Sequence, residues 1–296
     1  MLEFDGLRKS YGANVVLDEV SFTVAPGQMY GFCGSNGAGK TTTMRIAMGL
    51  ARADAGEVRW QQRPIDLEVR RRIGYMPEER GLYPKMPVAE QLEYFARLHG
   101  MNSAAARCSA TDLLDGMGLG KRSKDALEKL SLGNQQRVQL AAALVSNPDV
   151  LILDEPFSGL DPTGVDALAA NLAERRSRGV PVLFSSHQLD LVERLCDAVG
   201  ILAGGTIVAS GTVAQLRERE ANRQLSVVIP GSDGHWAREL GYAHVNSAQD
   251  GVVLLQLDDP SRDQDVLSAA MAAGSVAQFG WRQPTLMEIF REAVAA

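Results

Sequence analysis

The sequence predicts an α/β fold built on a mostly parallel sheet. Short apolar runs typical of buried strands alternate along the chain with stretches of helical periodicity, and this alternation is the pattern of strand–helix–strand units. The predicted strands are Met29–Cys33, Ile73–Met76, Val150–Leu153, Val182–Ser185 and Val199–Leu202. The predicted helices are Thr41–Gly49, Val88–His99, Ala104–Gly116, Leu132–Val145, Gly164–Arg178 and Leu189–Arg194.

Length and composition limit the class of protein. At roughly 150 residues per domain, the 296 residues predict about two domains. The formal net charge is −6, so the chain lacks the excess of lysine and arginine that neutralises a phosphate backbone, and nucleic acid is not an expected partner. No apolar run approaches the about 18 residues of a membrane span, and the first residues do not form a secretory signal. We therefore expect a folded, cytosolic protein.

The three cysteines are Cys33, Cys108 and Cys196. They are widely spaced, and they form neither a CxxC pattern nor a cluster with histidine. This arrangement supports neither a disulfide framework nor a zinc site, so we expect reduced thiols.

Two changes in the pattern divide the chain. Between Glu78 and Gly133 it is almost wholly helical, which predicts a helical insertion at about 78–135. The polar stretch Arg217–Arg223 follows the last strand–helix signal, and we place a domain boundary near residues 219–224. Residues 1–220 then form the larger domain. Residues 221–296 form a small α+β domain, with predicted elements at Leu225–Ile229, Val252–Leu257, Asp263–Ala273 and Pro284–Val294.

A glycine-rich loop carries the clearest chemical pattern. Residues Gly34–Thr41, GSNGAGKT, match the phosphate-loop pattern GxxxxGK[ST] at every fixed position, between a predicted strand and a predicted helix. The glycines let backbone N–H groups point toward phosphate oxygens at a helix N-terminus, where the helix dipole also favours anions. Lys40 then reaches the β- and γ-phosphates, and the Thr41 hydroxyl is a ligand for Mg²⁺. The predicted nucleotide contacts are Gly34, Ser35, Asn36, Gly37, Ala38, Gly39, Lys40, Thr41 and Thr42.

Two carboxylates follow the predicted strand Val150–Leu153. Asp154 stands where a nucleoside triphosphate site needs an acid on the metal side. Glu155 comes next, and because the chain turns there, its side chain is placed to face the γ-phosphate and to act as general base for an attacking water. Two acids that only cap a buried strand are the weaker interpretation beside a phosphate loop.

Residues Leu130–Gln136, LSLGNQQ, add a third pattern. They form a Ser-Gly turn at the start of a predicted helix, a second helix N-terminus suited to an anion. With this segment, which is similar to the LSGGQ signature, the chain resembles the nucleotide-binding subunits of ATP-binding cassette transporters over about residues 1–216. The resemblance implies ATP as the nucleotide and Mg²⁺ as the metal. It also implies that Ser131, Gly133 and Asn134 of one subunit cover the ATP bound to another.

The same resemblance assigns further residues. Tyr11 matches the aromatic residue that stacks on adenine, and His187, after the strand Val182–Ser185, matches the histidine that hydrogen-bonds the γ-phosphate. Asp161 matches the acid of a loop between the two subunits' sites, and an ordinary Asp-Pro turn is its alternative. Glu78 stands where the family usually has Gln. It is either a further oxygen ligand for Mg²⁺ or an exposed surface acid.

The resemblance also implies the reaction and the partners. Water attacks the γ-phosphoryl group in line, and Lys40, Mg²⁺ and His187 stabilise the developing charge. ATP joins two ATPase subunits, here expected to be two copies of this chain, and hydrolysis separates them. A catalytically inactive binding module conflicts with the intact Lys40, Asp154, Glu155 and His187.

The expected task is to power a separate membrane permease from the inner face of the cell membrane. The segment Gly81–Pro84 in the helical insertion is the expected docking surface. Glu78, the signature segment and the tail segment Pro284–Phe290 resemble the subgroup that serves drug and sodium efflux, which favours export. The alternative is an ATPase acting in translation or DNA repair, although such chains usually carry two cassettes or a long coiled coil.

Overall fold

The computed structural model describes residues 1–79, 81–218, 224–282 and 285–295. The chain divides into two units, Met1–Thr212 and Val213–Ala296. Residues 219–223, where the sequence predicts a domain boundary, lie outside the described residues. No helix in the described parts of the chain is long and apolar enough to cross a membrane.

The first unit alternates strands and helices along most of its length. Its strands are β1 (Leu2–Tyr11), β2 (Asn14–Val24), β3 (Met29–Gly34), β4 (Ala55–Trp60), β5 (Arg63–Pro64), β6 (Ile73–Met76), β7 (Val150–Leu153), β8 (Val182–Ser186), β9 (Ala198–Ala203) and β10 (Thr206–Thr212). Its helices are α1 (Lys40–Ala47), α2 (Leu67–Arg70), α3 (Val88–Leu98), α4 (Ser103–Gly116), α5 (Leu132–Leu144), α6 (Pro162–Ser177) and α7 (Leu189–Leu195).

A six-stranded sheet with the order β10-β9-β3-β8-β7-β6 forms the centre of this unit. The five strands from β9 to β6 are parallel, and β10 pairs antiparallel with β9. Strands β3, β7 and β8 are buried at every position, as expected where helices cover both faces of a parallel sheet. The predicted α/β class is confirmed, and the five predicted strands agree with the structure to within one residue at either end.

A second sheet, with the order β2-β1-β4-β5, is antiparallel and was not among the predicted elements. The buried apolar residues of β1 are Leu2, Phe4 and Leu7. The pairing of β1 with β2 shifts register between Phe4 and Leu7 and again before Lys9. These bulges break the alternation with period two that identifies a strand in a sequence, so the pattern alone does not reveal this sheet.

The helical insertion is present but contains less helix than the sequence predicts. Pro87 precedes α3, and the Asn102 side chain caps α4 by accepting the N–H of Ala105 at 2.9 Å. After α4, Gly118 adopts a left-handed backbone with φ of 71°, which ends the helix. Only two 3₁₀ turns, Gly120–Arg122 and Leu127–Lys129, lie between this point and α5. The segment is therefore two helices joined by turns.

The second unit is a four-stranded antiparallel sheet with helices. Its elements are α8 (Val213–Glu218), β11 (Gln224–Val228), α9 (His235–Arg238), β12 (Ala243–Gln249), β13 (Val252–Leu257), α10 (Asp263–Ala273), β14 (Gln278–Arg282) and α11 (Leu286–Ala295), and the sheet order is β12-β13-β11-β14. Buried residues of β11 and β13 form one core with Val266 and Ala270 of α10. Strands β12 and β14 were not predicted, because neither has a run of apolar residues. Pro284, at the start of the predicted last helix, lies outside the described residues.

Candidate nucleotide-binding site

The phosphate loop connects β3 to α1. Gly39 has a φ of 110°, in the left-handed region, and a Cβ atom there would lie 2.8 Å from the carbonyl oxygen of Val16. Glycine meets both constraints, because this backbone strains other residues and the neighbouring strand leaves no room for a side chain. Helix α1 begins at Lys40 without a side-chain cap. The N–H groups of its first turn therefore remain available to an anion.

The Lys40 side chain lies inside this loop. It is 7% exposed, and its Nζ donates hydrogen bonds to the carbonyl oxygens of Gly34 at 2.7 Å and Ser35 at 3.2 Å. Both partners are neutral, so these bonds orient the ammonium group without cancelling its charge. A buried ammonium held in this way is suited to charge-assisted hydrogen bonds with phosphate oxygens.

Asp154 presents an unpaired carboxylate oxygen at the end of β7. Its side chain is 1% exposed, and Oδ1 accepts a hydrogen bond from the Ser185 hydroxyl at 2.5 Å. Oδ2 is buried and has no hydrogen-bond partner in the described part of the chain. A buried charged oxygen without a partner is costly, and carboxylate and hydroxyl oxygens are ligands that Mg²⁺ prefers. Because Thr41 lines the same cavity as Asp154, these residues fit a magnesium ion.

Glu155 and His187 form a hydrogen-bonded pair. Glu155 Oε2 lies 2.9 Å from His187 Nδ1, and the glutamate side chain is 11% exposed whereas the histidine side chain is 52% exposed. The backbone of Glu155 has a φ of 50°, an uncommon left-handed conformation for a residue other than glycine. Its N–H donates to the Ser185 hydroxyl oxygen at 2.8 Å, and its carbonyl oxygen accepts from Gln136 Nε2 at 3.3 Å. Neighbouring side chains thus hold the turn that directs this carboxylate.

We call the enclosed space the nucleotide cavity. It has a volume of about 160 Å³ and is lined by Val16, Asn36, Gly37, Gly39, Lys40, Thr41, Thr42, Glu78, Asp154 and Glu155. The structure therefore brings three predicted acids to the phosphate loop. Glu78 is exposed to solvent, as expected for a surface acid, and it also lines this cavity, as expected for an oxygen ligand of the metal. Val16 is a lining residue that no sequence motif revealed.

Nine predicted site residues are not among those that line this cavity. Gly34, Ser35 and Ala38 belong to the phosphate loop itself, and His187 is hydrogen-bonded to Glu155. The other five lie in separate segments: Tyr11, Ser131, Gly133, Asn134 and Asp161. Tyr11 is 55% exposed. Ser131 caps α5, with its hydroxyl oxygen accepting the N–H of Asn134 at 3.4 Å. Asp161 caps α6, with Oδ1 accepting the N–H of Gly164 at 2.8 Å, which is the geometry of an ordinary Asp-Pro turn. These residues are not joined to the phosphate loop within one chain.

Ser185 is a site residue that the motifs did not reveal. Its hydroxyl contacts both acids, donating to Asp154 and accepting from the backbone of Glu155. Strand β8 is paired in parallel with β7, with Phe184 opposite Leu153, so the next residue of each strand meets at the same edge. A serine at the carboxyl end of a buried strand is the signal that could have identified it.

The thiol of Cys33 lies directly before the phosphate loop, at a position with 0% exposure. Burial raises its pKa to about 12, the Lys40 ammonium opposes that rise, and the negative charge of Glu155 adds to it. The thiol is therefore protonated at neutral pH and behaves as a small apolar group beneath the loop.

This arrangement can do one kind of chemistry well. Backbone N–H groups and a buried lysine bind phosphates, and a glutamate beside a histidine can activate water next to them. The fold and the site together define a P-loop nucleoside triphosphatase.

Comparisons with known proteins narrow the class. Residues 17–158 match the family model described as ABC transporter, and residues 211–294 match the C-terminal domain of DrrA1-3-like ATP-binding proteins. Over 296 residues the chain is 36% identical to the uncharacterized ABC transporter ATP-binding protein YhaQ of Bacillus subtilis, covering 100% of this chain and 99% of that protein. The chain belongs to the family of ABC transporter ATP-binding proteins.

Two further relatives and one solved structure support the same family assignment. The chain is 39% identical over 218 residues to Nod factor export ATP-binding protein I of Paraburkholderia xenovorans, covering 73% of this chain and 72% of that one. It is 29% identical over 282 residues to linearmycin resistance ATP-binding protein LnrL of Bacillus subtilis, covering 94% of this chain and 91% of that protein. The structure of an ATP-binding subunit of an ABC transporter has a TM-score of 0.68 at 34% identity, covering 73% of this chain and 92% of that chain.

The predicted family is therefore confirmed. The chain is an ATP-hydrolysing subunit that acts with a separate membrane permease, and its nucleotide is ATP. The alternative function in translation or DNA repair is not favoured.

Proposed function

We propose that this chain powers export across a membrane, with two copies closing over ATP and magnesium at each turnover. The observation that carries the proposal is the nucleotide cavity, in which Lys40, the unpaired oxygen of Asp154 and Glu155 meet, with His187 hydrogen-bonded to Glu155. Export is supported by the relatives named for Nod factor export and linearmycin resistance, and by the match to the DrrA1-3-like C-terminal domain.

Within the cavity each side chain has one proposed role. Thr41 and Asp154 hold Mg²⁺, with Glu78 as a further oxygen ligand, and the bound ion supplies positive charge to the phosphates. The described residues contain no cluster of three or more His, Cys, Asp or Glu that would hold a metal ion without further ligands. Lys40 and the loop N–H groups bind the β- and γ-phosphates.

Glu155 takes a proton from the attacking water, and His187 does two things. Its Nδ1–H donates to the Glu155 carboxylate and orients it, and in the doubly protonated ring Nε2–H also donates toward the γ-phosphate. These roles need the left-handed turn at Glu155, because that turn directs the carboxylate out of the line of β7.

A second copy of the chain completes each site. Ser131, Gly133 and Asn134 lie at the first turn of α5, outside the nucleotide cavity of their own chain. We propose that this helix N-terminus covers the γ-phosphate bound by the partner copy. In the same proposal Asp161 lies at the contact between copies, and the exposed ring of Tyr11 stacks on adenine.

The permease is proposed to dock on an apolar groove of the first unit, lined by residues that include Met48, Ile73, Tyr75, Pro77, Leu82 and Phe95. The groove has a volume of about 230 Å³. Beside it, the rings of Tyr83, Tyr94 and Phe95 form a cluster with centroids 5.7 to 6.2 Å apart, and the two tyrosines are exposed. Aromatic residues of this kind are enriched at interfaces. Docking there places the chain at the inner face of the membrane.

The division of the chain is part of the proposal. Residues 1–220 form the ATPase domain, with a helical subdomain at about 78–135, and residues 221–296 form an accessory α+β domain. The two units of the structure and the two family matches support a division into two parts. Both begin the second part before residue 221, the second unit at Val213 and the C-terminal family match at residue 211.

Glu155→Gln tests the proposed mechanism. The amide keeps the shape of the side chain but cannot accept the proton, so we expect ATP to bind without turnover and a dimer to accumulate. Size-exclusion chromatography with ATP and Mg²⁺ should then show a species of twice the 31.9 kDa chain mass. Glu174→Gln, at an exposed acid of α6, is the control and should behave as the native chain. Normal hydrolysis by Glu155→Gln would contradict the assignment of the base.

A further inference from the structure

Helix α5 carries two buried glutamine side chains one turn apart. Gln136 is 7% exposed, and its Nε2 donates to the carbonyl oxygens of Pro156 at 3.0 Å and Glu155 at 3.3 Å. Gln139 is 4% exposed, and its Nε2 donates to the carbonyl oxygen of Pro77 at 2.6 Å. Both amides therefore join the helix to a loop that reaches the nucleotide cavity.

The contacts of Gln139 surround one residue. Its Nε2 also lies 3.5 Å from the carbonyl oxygen of Glu79, so the carbonyls on either side of Glu78 converge on a single amide group. Glu78 therefore lies between two residues whose carbonyl oxygens are both hydrogen-bonded to the same side chain of α5. Its side chain lines the nucleotide cavity, while Pro77 and Gln139 line the apolar groove.

The polar nature of position 139 needs an explanation. The neighbours of Gln139 on α5, Val138 and Leu140, are buried and apolar, and its own Oε1 is buried without a hydrogen-bond partner in the described part of the chain. An apolar side chain of similar size would remove this unpaired oxygen, since a buried polar atom without a partner destabilises the fold. Such a side chain would, however, lose the hydrogen bonds that Nε2 donates, so these bonds are the feature that only the glutamine provides.

We propose that Gln139 is a positioning residue that holds Glu78 at the metal side of the nucleotide cavity. The inference rests on the proposed role of Glu78 as an oxygen ligand for Mg²⁺. Gln136 holds the loop of Glu155 in the same way, through its hydrogen bonds to the carbonyl oxygens of Glu155 and Pro156. Helix α5 thus fixes two acids of the site through two separate amide groups.

Hydrogen–deuterium exchange on the full chain tests whether the hydrogen bonds of Gln139 hold the loop in place. Gln139→Met keeps the length of the side chain and loses the donor, so exchange should increase in the segment 73–79 and stay unchanged at 150–158. Gln136→Met should give the reverse pattern. Gln91→Met is the matched control, because Gln91 is also a buried amide, and its side chain is hydrogen-bonded to the backbone of Tyr83 and Met86 rather than to the segments 77–79 or 154–158.

The dependence of ATPase activity on free Mg²⁺ tests the function. We expect Gln139→Met to raise the Mg²⁺ concentration for half-maximal activity by about 10-fold, the size typical of losing a group that orients a metal ligand. ATP binding measured in the presence of EDTA should remain native. In the double variant with Glu78→Gln, the second substitution should add nothing to the shift of the first, because both act on the same carboxylate.

Different outcomes separate the two proposals. Unchanged exchange at 73–79 in Gln139→Met, or fully additive shifts in the double variant, would overturn the positioning role. A shift in Glu78→Gln without one in Gln139→Met would overturn this inference alone. Superimposable Mg²⁺ curves for Glu78→Gln and the native chain would overturn the metal role of Glu78 and the inference that rests on it.

Discussion

The nucleotide cavity and the apolar groove are each lined by a residue of the same short loop, and they differ in almost every property. The first is lined by glycines, a buried lysine and three acids, and one buried carboxylate oxygen in it has no hydrogen-bond partner among the described residues. The second is lined mainly by apolar side chains such as Met48 and Phe95. Consecutive residues, Pro77 and Glu78, belong to the groove and to the cavity respectively. The nucleotide cavity and the proposed docking groove thus adjoin at one peptide bond.

Lys40→Ala should have the largest effect, and it should be confined to the cavity. The substitution removes a buried cation placed against the phosphates, so ATP binding should weaken by about 100-fold or more. Nucleotide titration with a fluorescent ATP analogue measures this. Lys124→Ala, at an exposed lysine of the helical segment, is the control. Native affinity in Lys40→Ala would mean that the loop is not the nucleotide site.

Ser185→Ala should affect turnover and stability together. It leaves Asp154 Oδ1 and the backbone N–H of Glu155 without their shared partner, which should lower kcat by about 10-fold and the free energy of unfolding by about 1 to 3 kcal/mol. Steady-state kinetics and urea unfolding measure the two effects.

The matched comparison is Ser186→Ala. Ser186 is equally buried, but its hydroxyl accepts the N–H of Gln188 and contacts neither acid. A loss of stability with kcat retained is the result expected for this control. Equal losses of kcat in both variants would show that Ser185 has no special link to the acids.

Phe95→Asp should separate the groove from the cavity. A charge in the groove opposes burial of an apolar partner, so the share of the chain recovered with membranes of its native host should fall by about 10-fold, while ATP affinity stays native. Leu98→Asp is the control on the same helix, at a position that is 64% exposed and does not line the groove. Membrane recovery that Phe95→Asp does not change would remove the groove from the docking surface.

The smallest expected effect concerns the rate at which the cysteines react with maleimide. The rate for Cys33 measures how accessible the strand residue just before the phosphate loop is to solvent. At pH 8 in a maleimide assay, exposed Cys108 should react first, although its hydrogen bond to the Asp112 carboxylate raises its pKa. Cys33, with its pKa raised to about 12, should react only after unfolding. Its thiolate fraction grows as pH rises toward that value, so any labelling of the folded chain should increase with pH. Rapid labelling of Cys33 at pH 8 would mean that the loop opens readily.

The sequence predicted those parts of the molecule that depend on neighbours along the chain. The phosphate loop and the acids after β7 were predicted because each is a contiguous run between recognisable elements. The contacts that complete the site were not predicted, since they join distant residues: the Ser185 hydroxyl to Asp154, 31 positions away, and the Gln139 amide to Pro77, 62 positions away. The sheet containing β1 was missed because bulges disturb its alternation.

At Glu155 the left-handed backbone lowers the stability of the fold, while the side chain is the one proposed to be needed for turnover. A residue other than glycine is less stable in this conformation by about 1 to 2 kcal/mol, whereas glycine adopts it freely. Selection for a robust fold would therefore favour glycine at position 155, and selection for hydrolysis favours the carboxylate. The glutamate at this position therefore costs conformational stability, and its proposed role as the base gives a physical reason for that cost. A chain that did not need the carboxylate would therefore gain conformational stability from glycine at position 155.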